Sequence, residues 1–261
     1  MTPKKIIFIY ILACGLGFLI FGITLVNREQ QFVLLAHSFI QGKLYFLQGP
    51  ITSGWADTSQ FNGHHYWPLG VFPAVLLTPF VIFFKTSFLQ HYLSLGLTLL
   101  NFYLLFQIAK KLILKEETAI VLAFAYIFST AYLMVAFASF SWYFAHVVAT
   151  SCLLLSLYFT LVRVKPILAG LFFTFGFLTR ISLLFGVIFF PLYYYFFHRS
   201  TFVKLSRRFL IPIICGLLLF FIYNYMRFGN AFETGYKYQQ LNIPKLVANR
   251  NIGMWSIRHF P

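Results

Sequence analysis

A chain of 261 residues holds only five carboxylates, at Glu29, Asp57, Glu116, Glu117 and Glu233. A carboxylate can exchange a proton, hold a cation or cap a turn, so a type this scarce marks where such chemistry could occur. Glu116 and Glu117 sit among lysines in "KKLILKEET" and read as a solvated face. Glu29, in "REQQF", heads an amphipathic pattern, where negative charge suits a first helical turn. Asp57 stands in "WADTSQFNGHHYWP", ahead of the Asn62-Gly63 turn signal, and could cap a turn there. Glu233, in "NAFETGY", could pair with Arg227. His64 and His65 lack partners at metal-ligand spacing, so no zinc site is read. His146, in "WYFAHVV", is expected to be hydrogen-bonded inside a helix bundle.

The elements that would position these groups are apolar. Hydrophobic residues make up 60% of the chain and charged residues 10%, against about a quarter charged in a soluble domain. The mean hydropathy of +0.81 and several long apolar runs define an all-α polytopic membrane protein. The +15 net charge lies between apolar runs, where it orients helices, so nucleic acid is excluded as a partner. Cys14, Cys152 and Cys215 each lie inside an apolar run, and no disulfide framework follows.

The apolar runs fall near 6–26, 69–84, 92–109, 119–138, 142–162, 167–178, 181–197 and 209–223. The run at 69–84 is short and broken by Gly70, Pro73 and Pro79, so it reads as interfacial rather than spanning. Lys4 and Lys5; Lys110, Lys111 and Lys115; Arg163 and Lys165; and Arg199, Lys204, Arg207 and Arg208 then share the inner side. Basic flanks on both sides of 167–197 require a hairpin of two short helices, turned at "LTR" with Arg180 outside. "NREQQFVLLAHSFIQG" reads as a helix on the membrane surface, with Phe32, Leu35, Ala36, Phe39 and Ile40 on one stripe. Asn27 and Gln30 suit its capped start and Gly42 its end. The expected organisation is a first span at 1–26, an outer loop with juxtamembrane helices at 27–91, a bundle at 92–223 and an outer tail at 224–261. That makes about seven spans in the cytoplasmic membrane, with the N-terminus inside. No Asp or Glu falls within a predicted span.

Four stretches carry a resemblance. "REQQFVLLAHSFIQGKL" after a first span, "NGHHYWPLGVFPAVLLTPF", "GLFFTFGFLTRISLL" and "YNYMRFGNAFETGY" together resemble the GT-C superfamily of polyprenyl-linked glycosyltransferases. The likeness is nearest to glycosyltransferase family 39, the protein O-mannosyltransferase and lipid A aminoarabinose transferase group. The family's Asp-Glu pair after the first span reads Arg28-Glu29 here, so Glu29 alone matches, and Asp57 stands as a second candidate. Family members run on through further helices, so the resemblance implies that a chain ending at "SIRHFP" is an N-terminal portion.

The resemblance implies transfer of a sugar from a polyprenyl-phosphate donor to an extracytoplasmic glycan, lipid or protein. Asp57 or Glu29 would act as general base, with inversion at the anomeric carbon. Arg180, Lys85 and Arg227 would hold the lipid phosphate. Tyr66, Trp67, His65 and Glu233 would contact substrate, although interfacial anchoring is the commoner role for residues such as Tyr66 and Trp67, and headgroup snorkelling is an equally plain role for Arg180. A divalent metal, Mg or Mn, is compatible with such a reaction, but no ligand cluster demands one. Two alternatives stay open: a non-catalytic lipid or polysaccharide flippase or export component, and an inactive truncated remnant.

Overall fold

The computed structural model describes residues 8, 12, 15–17, 19, 20, 29–49, 55–112, 115–138, 140–241 and 244–252. The described residues of the expected first span are all helical. Lys4, Lys5, Asn27, Arg28 and the "SIRHFP" end lie outside the described residues.

The first fully described helix, α1 (Gln31–Ile40), ends as its sequence directs. Gly42 adopts φ +68, and the Gly42 and Lys43 amides bond the Phe39 and Ser38 carbonyls at 2.9 and 3.0 Å, the paired bonds of a Schellman cap. The helix is covered by protein on more than its expected stripe. Val33 and Leu34 are buried along with Phe32, Leu35 and Ala36, while Ile40 at the helix end is exposed. The helix packs against α2 (Phe72–Phe84) and against Phe144. Glu29 precedes α1 rather than occupying its first turn, and Gln30 accepts from the Gln90 amide at 2.9 Å instead of closing a capping box.

Between these helices lies a small hairpin, the one sheet among the described residues of an otherwise helical fold. Strand β1 (Ser59–Phe61) pairs antiparallel with β2 (His64–Tyr66), with Phe61 opposite His64. Asn62 and Gly63 have φ 48 and 76, as the tightest hairpin turn requires, and Asn-Gly tolerates this at least cost. The loop and tail, expected as separate regions, join here. Gln239 bridges Ser59, and the Gln240 amide bonds the Thr58 carbonyl at 2.8 Å.

The bundle runs through α3 (Gln90–Lys111), α4 (Glu116–Phe128), α5 (Tyr132–Ala138), α6 (Ser141–Leu161), α7 (Pro166–Thr179), a 3-10 stretch (Ile181–Ile188), α8 (Phe189–Phe197) and α9 (Phe202–Phe228). A last helix, α10 (Pro244–Ile252), follows the tail. Among the described residues, three helices are long and apolar enough to cross a membrane: α3, α6, and α9 with its leading turn. Joining α4 and α5 would make a fourth, bent by 53°. The expected single run at 119–138 breaks there because Thr130 accepts from the Tyr132 amide and donates to the Tyr126 carbonyl, at 3.1 and 2.7 Å. Its side chain thereby ends one helix and starts the next.

The hairpin expected at "LTR" is present. Phe173 of α7 packs on Phe190 of α8 with ring centroids 5.1 Å apart, which requires the chain to fold back around Arg180. Both rings meet Phe209 of α9, and a Cβ on Gly170 would overlap the Phe209 carbonyl, so α7 and α9 touch backbone to backbone. Leu104 and Ile108 of α3 cluster with Leu154 and Tyr158 of α6, so these helices run parallel. The Lys110–Lys111, Arg163–Lys165 and Arg199–Arg208 clusters therefore gather at one end of the bundle. Glu29, Gln90, Ser141, Arg180 and Arg227 gather at the other.

Candidate active site

The site forms where the hairpin turn, the end of α9, the segment 68–71 and the tail converge. A Cβ on Gly70 would overlap the Leu178 and Thr179 carbonyls, so only glycine lets this segment lie against the end of α7. The result is a cavity of about 200 Å³ lined by Arg180, Arg227, Tyr223, Asn224, Thr234 and Tyr236, with Leu69, Val71, Phe177, Ile181 and Phe220 as its apolar wall.

Both arginines are fixed by neutral acceptors. Arg227 is only 5% exposed. It donates from Nη1 to the Trp67 carbonyl at 2.9 Å and from Nη2 to Asn224 Oδ1 at 2.6 Å. Its guanidinium lies over the Tyr223 ring, 4.1 Å from the centroid, a cation–π contact strengthened by burial. Arg180 donates from Nη2 to the Trp142 carbonyl and to His146 Nε2, each at 2.9 Å. A guanidinium only donates, so His146 Nε2 is unprotonated here. Neither arginine forms an ion pair with a carboxylate among the described residues, where the ion pair is Lys110–Glu116 at 3.5 Å. The cavity therefore carries positive charge that no carboxylate contacts directly among the described residues. Lys85 caps the far end of α2 and does not line this cavity, so of Arg180, Lys85 and Arg227 the structure brings together only the two arginines.

The acids lie beside it. Glu29 and Asp57, rivals on the sequence, are neighbours in space. Burial holds the Glu29 carboxyl above its ordinary value, a hydrogen bond with Gln31 offsets part of the rise, and the charge of Asp57 adds to it. Burial likewise raises the Asp57 carboxyl. Asp57 does not cap its turn. It sits at φ 62, a conformation that Asp tolerates better than most residues, and the turn is closed by the Thr58 amide on the Trp55 carbonyl at 3.2 Å. The Asp57 amide instead bonds the Gln240 carbonyl at 3.1 Å, and its carboxylate has no hydrogen bond among the described residues.

Two short paths tie the acids to the cavity. Gln31, which bonds Glu29, is held by the Ser141 hydroxyl, and the next residue, Trp142, receives Arg180. In the tail, Tyr236 lines the cavity and Gln240 holds Asp57. Four residues of extended chain span at most about 14 Å.

The other expected contacts divide. Tyr66 is near enough for the charge of Arg227 to act on its hydroxyl, and its ring packs 5.1 Å from that of Phe228. The Trp67 ring is enclosed at 1% exposure against Phe32 and Phe46, with centroids at 5.9 and 6.3 Å, so it packs the core and its carbonyl anchors Arg227. His65 stacks on Trp55 at 3.9 Å and shares a 3.0 Å hydrogen bond with Thr58, away from the cavity. Glu233 Oε1 accepts from the Gly235 amide at 2.7 Å; its charge reaches Arg227 only at longer range, so the expected pair does not close. Among the described residues no group of three or more His, Cys, Asp or Glu could hold a metal ion. Tyr223 and Asn224 were not singled out by sequence, although they stand at i−4 and i−3 to Arg227, the spacing that stacks side chains on one helical face.

The chain matches no family model, no curated protein and no solved structure.

Proposed function

We propose that this helical membrane protein is a glycosyltransferase moving a sugar from a polyprenyl-phosphate donor to an acceptor hydroxyl outside the cytoplasm. The observation that carries the reading is the pairing of an arginine cavity, whose guanidiniums form no ion pair among the described residues, with two carboxylates at the same end of the bundle. The lipid phosphate would lie against Arg180 and Arg227, with its prenyl chain along the wall of Phe177, Ile181 and Phe220. A carboxylate of the Glu29–Asp57 pair takes the proton of the attacking hydroxyl. The acceptor oxygen bonds to the anomeric carbon as the bond from that carbon to the phosphate oxygen breaks. The electron pair leaves with the phosphate, whose charge the arginines balance, and single displacement inverts the centre.

The test is transfer of labelled sugar from a polyprenyl phosphate by membranes containing the full chain and its Asp57→Asn and Glu29→Gln variants. Loss of transfer with normal membrane insertion supports the reading. Normal transfer by both variants refutes the carboxylate mechanism, and movement of the lipid-linked sugar across proteoliposomes without product indicates an export component instead.

A further inference from the structure

The opposite end of the bundle carries a second concave site. Arg199, Lys204, Arg207 and Arg208 line a cavity of about 490 Å³, and all four are exposed. None is paired with a carboxylate among the described residues; Glu116, at the same end, is taken by Lys110. Helix stability does not account for the cluster, because the start of a helix is its positive pole and disfavours cations. Like charges this close repel one another until an anion sits among them.

What lies beneath the cluster identifies the anion. Val203, Arg207, Ile211, Ile214, Leu218 and Ile222 recur at three- and four-residue spacing, which places them on one face of α9. Its five apolar members are each more than half exposed. From Arg207 to Ile222 the helix rises about 22 Å, more than the roughly 15 Å of hydrocarbon in one leaflet. The cations thus continue directly into the face that a membrane-spanning α9 presents to acyl chains, so an anion held here lies beside lipid tails.

We infer that this face of α9 binds an anionic phospholipid, its phosphate held by Arg199, Lys204, Arg207 and Arg208 and its acyl chains lying along Ile211, Ile214 and Leu218. The site is separate from the arginine cavity at the other end and does not depend on the proposed reaction.

The experiment places the full chain in phosphatidylcholine nanodiscs containing phosphatidylglycerol as a minor component, then counts retained phosphatidylglycerol by native mass spectrometry. The double variant Arg207→Gln/Arg208→Gln should bind it about fivefold more weakly per charge removed, the factor that matches about 1 kcal/mol per basic residue at an anionic surface. Lys110→Gln/Lys111→Gln, at the same end but outside the cavity, should retain it as the parent does. If the first double variant fails to insert, Arg199→Gln/Lys204→Gln carries the same comparison. Equal retention by parent and cavity variants overturns the proposal. So does an equal loss in both cavity and control variants, which would mean diffuse surface charge, or displacement of the lipid by inorganic phosphate alone, which would mean a free-anion site.

Discussion

Glu29 and Asp57 stand close enough that the charge of one acts on the proton of the other. Both carboxyls are also raised by burial, so the folded chain holds their protons more tightly than the unfolded chain does. Whatever stability these groups lend is therefore present below their unfolded values, near pH 4, and is lost as pH rises through their folded values. Asp57→Asn removes one charge and lowers the other group's folded value. The variant should lose less thermal stability than the parent between about pH 4 and pH 7, read as the unfolding midpoint in detergent. A parent-like pH dependence would mean that the two acids do not interact.

The same pair sets the acidic limb of the proposed reaction. A general base works only when ionised, so transfer should rise with pH through the raised values of the pair. Two coupled acids titrate in macroscopic steps that belong to the pair. The pH profile of sugar transfer measures this, and a limb no higher than that of an ordinary exposed carboxylate would speak against a buried base.

How much of this was legible depends on how far apart in sequence the causes lie. The hairpin at Arg180 could be read because its basic flanks, Lys165 and Arg199, bracket one apolar stretch. The ends at Gly42 and Asn62-Gly63 could be read because cap and turn chemistry is local. The enclosure of Trp67 and α1 could not, since apolar periodicity does not tell lipid from protein as the covering surface. Nor could the union of Asp57 with Gln240, which closes through backbone bonds that any side chain permits. Arg180 and Arg227 were both named from sequence, but that they share a cavity without Lys85 follows only from Gly70 lying against the end of α7.

The two arginines should fail differently when replaced. Arg227 is enclosed and satisfies the Trp67 carbonyl and Asn224. Arg227→Met should cost stability, about 1–3 kcal/mol for each buried polar group left without a partner, and abolish donor binding as well. Arg180 is only partly enclosed, so Arg180→Gln should leave the unfolding midpoint within a few degrees while weakening binding of polyprenyl phosphate. Thermal unfolding with and without that lipid separates the two, and equal stability losses would contradict the assigned difference in burial.

Gly170 offers a test of the fold that is independent of function. Its missing Cβ lets the α7 backbone meet the Phe209 carbonyl, and even alanine would force the two helices apart. Gly170→Ala should lower stability by about 1–3 kcal/mol, the usual cost of overpacking, despite alanine's better helix propensity. Gly186→Ala, where a Cβ meets nothing within 4 Å, is the matched control. Equal midpoints for the two variants would rule out close backbone contact between α7 and α9.

His146 is bonded to Arg180 and does not itself line the cavity. Its Nε2 accepts one of two bonds that aim the guanidinium, the other being the Trp142 carbonyl, both at 2.9 Å. Gln at 146 can still present an oxygen acceptor, whereas Phe removes it and leaves Arg180 on a single bond. His146→Phe should therefore raise the donor KM about tenfold, the equivalent of one charge-assisted hydrogen bond at roughly 1.5 kcal/mol, with kcat little changed. His146→Gln should restore most of that loss. Protonation of the histidine would exchange the acceptor for a donor facing a cation, so the parent should share the Phe variant's weak donor binding at low pH, and the Gln variant should not. A Gln variant as impaired as Phe, at every pH, would show that the ring's shape rather than its lone pair matters at this position.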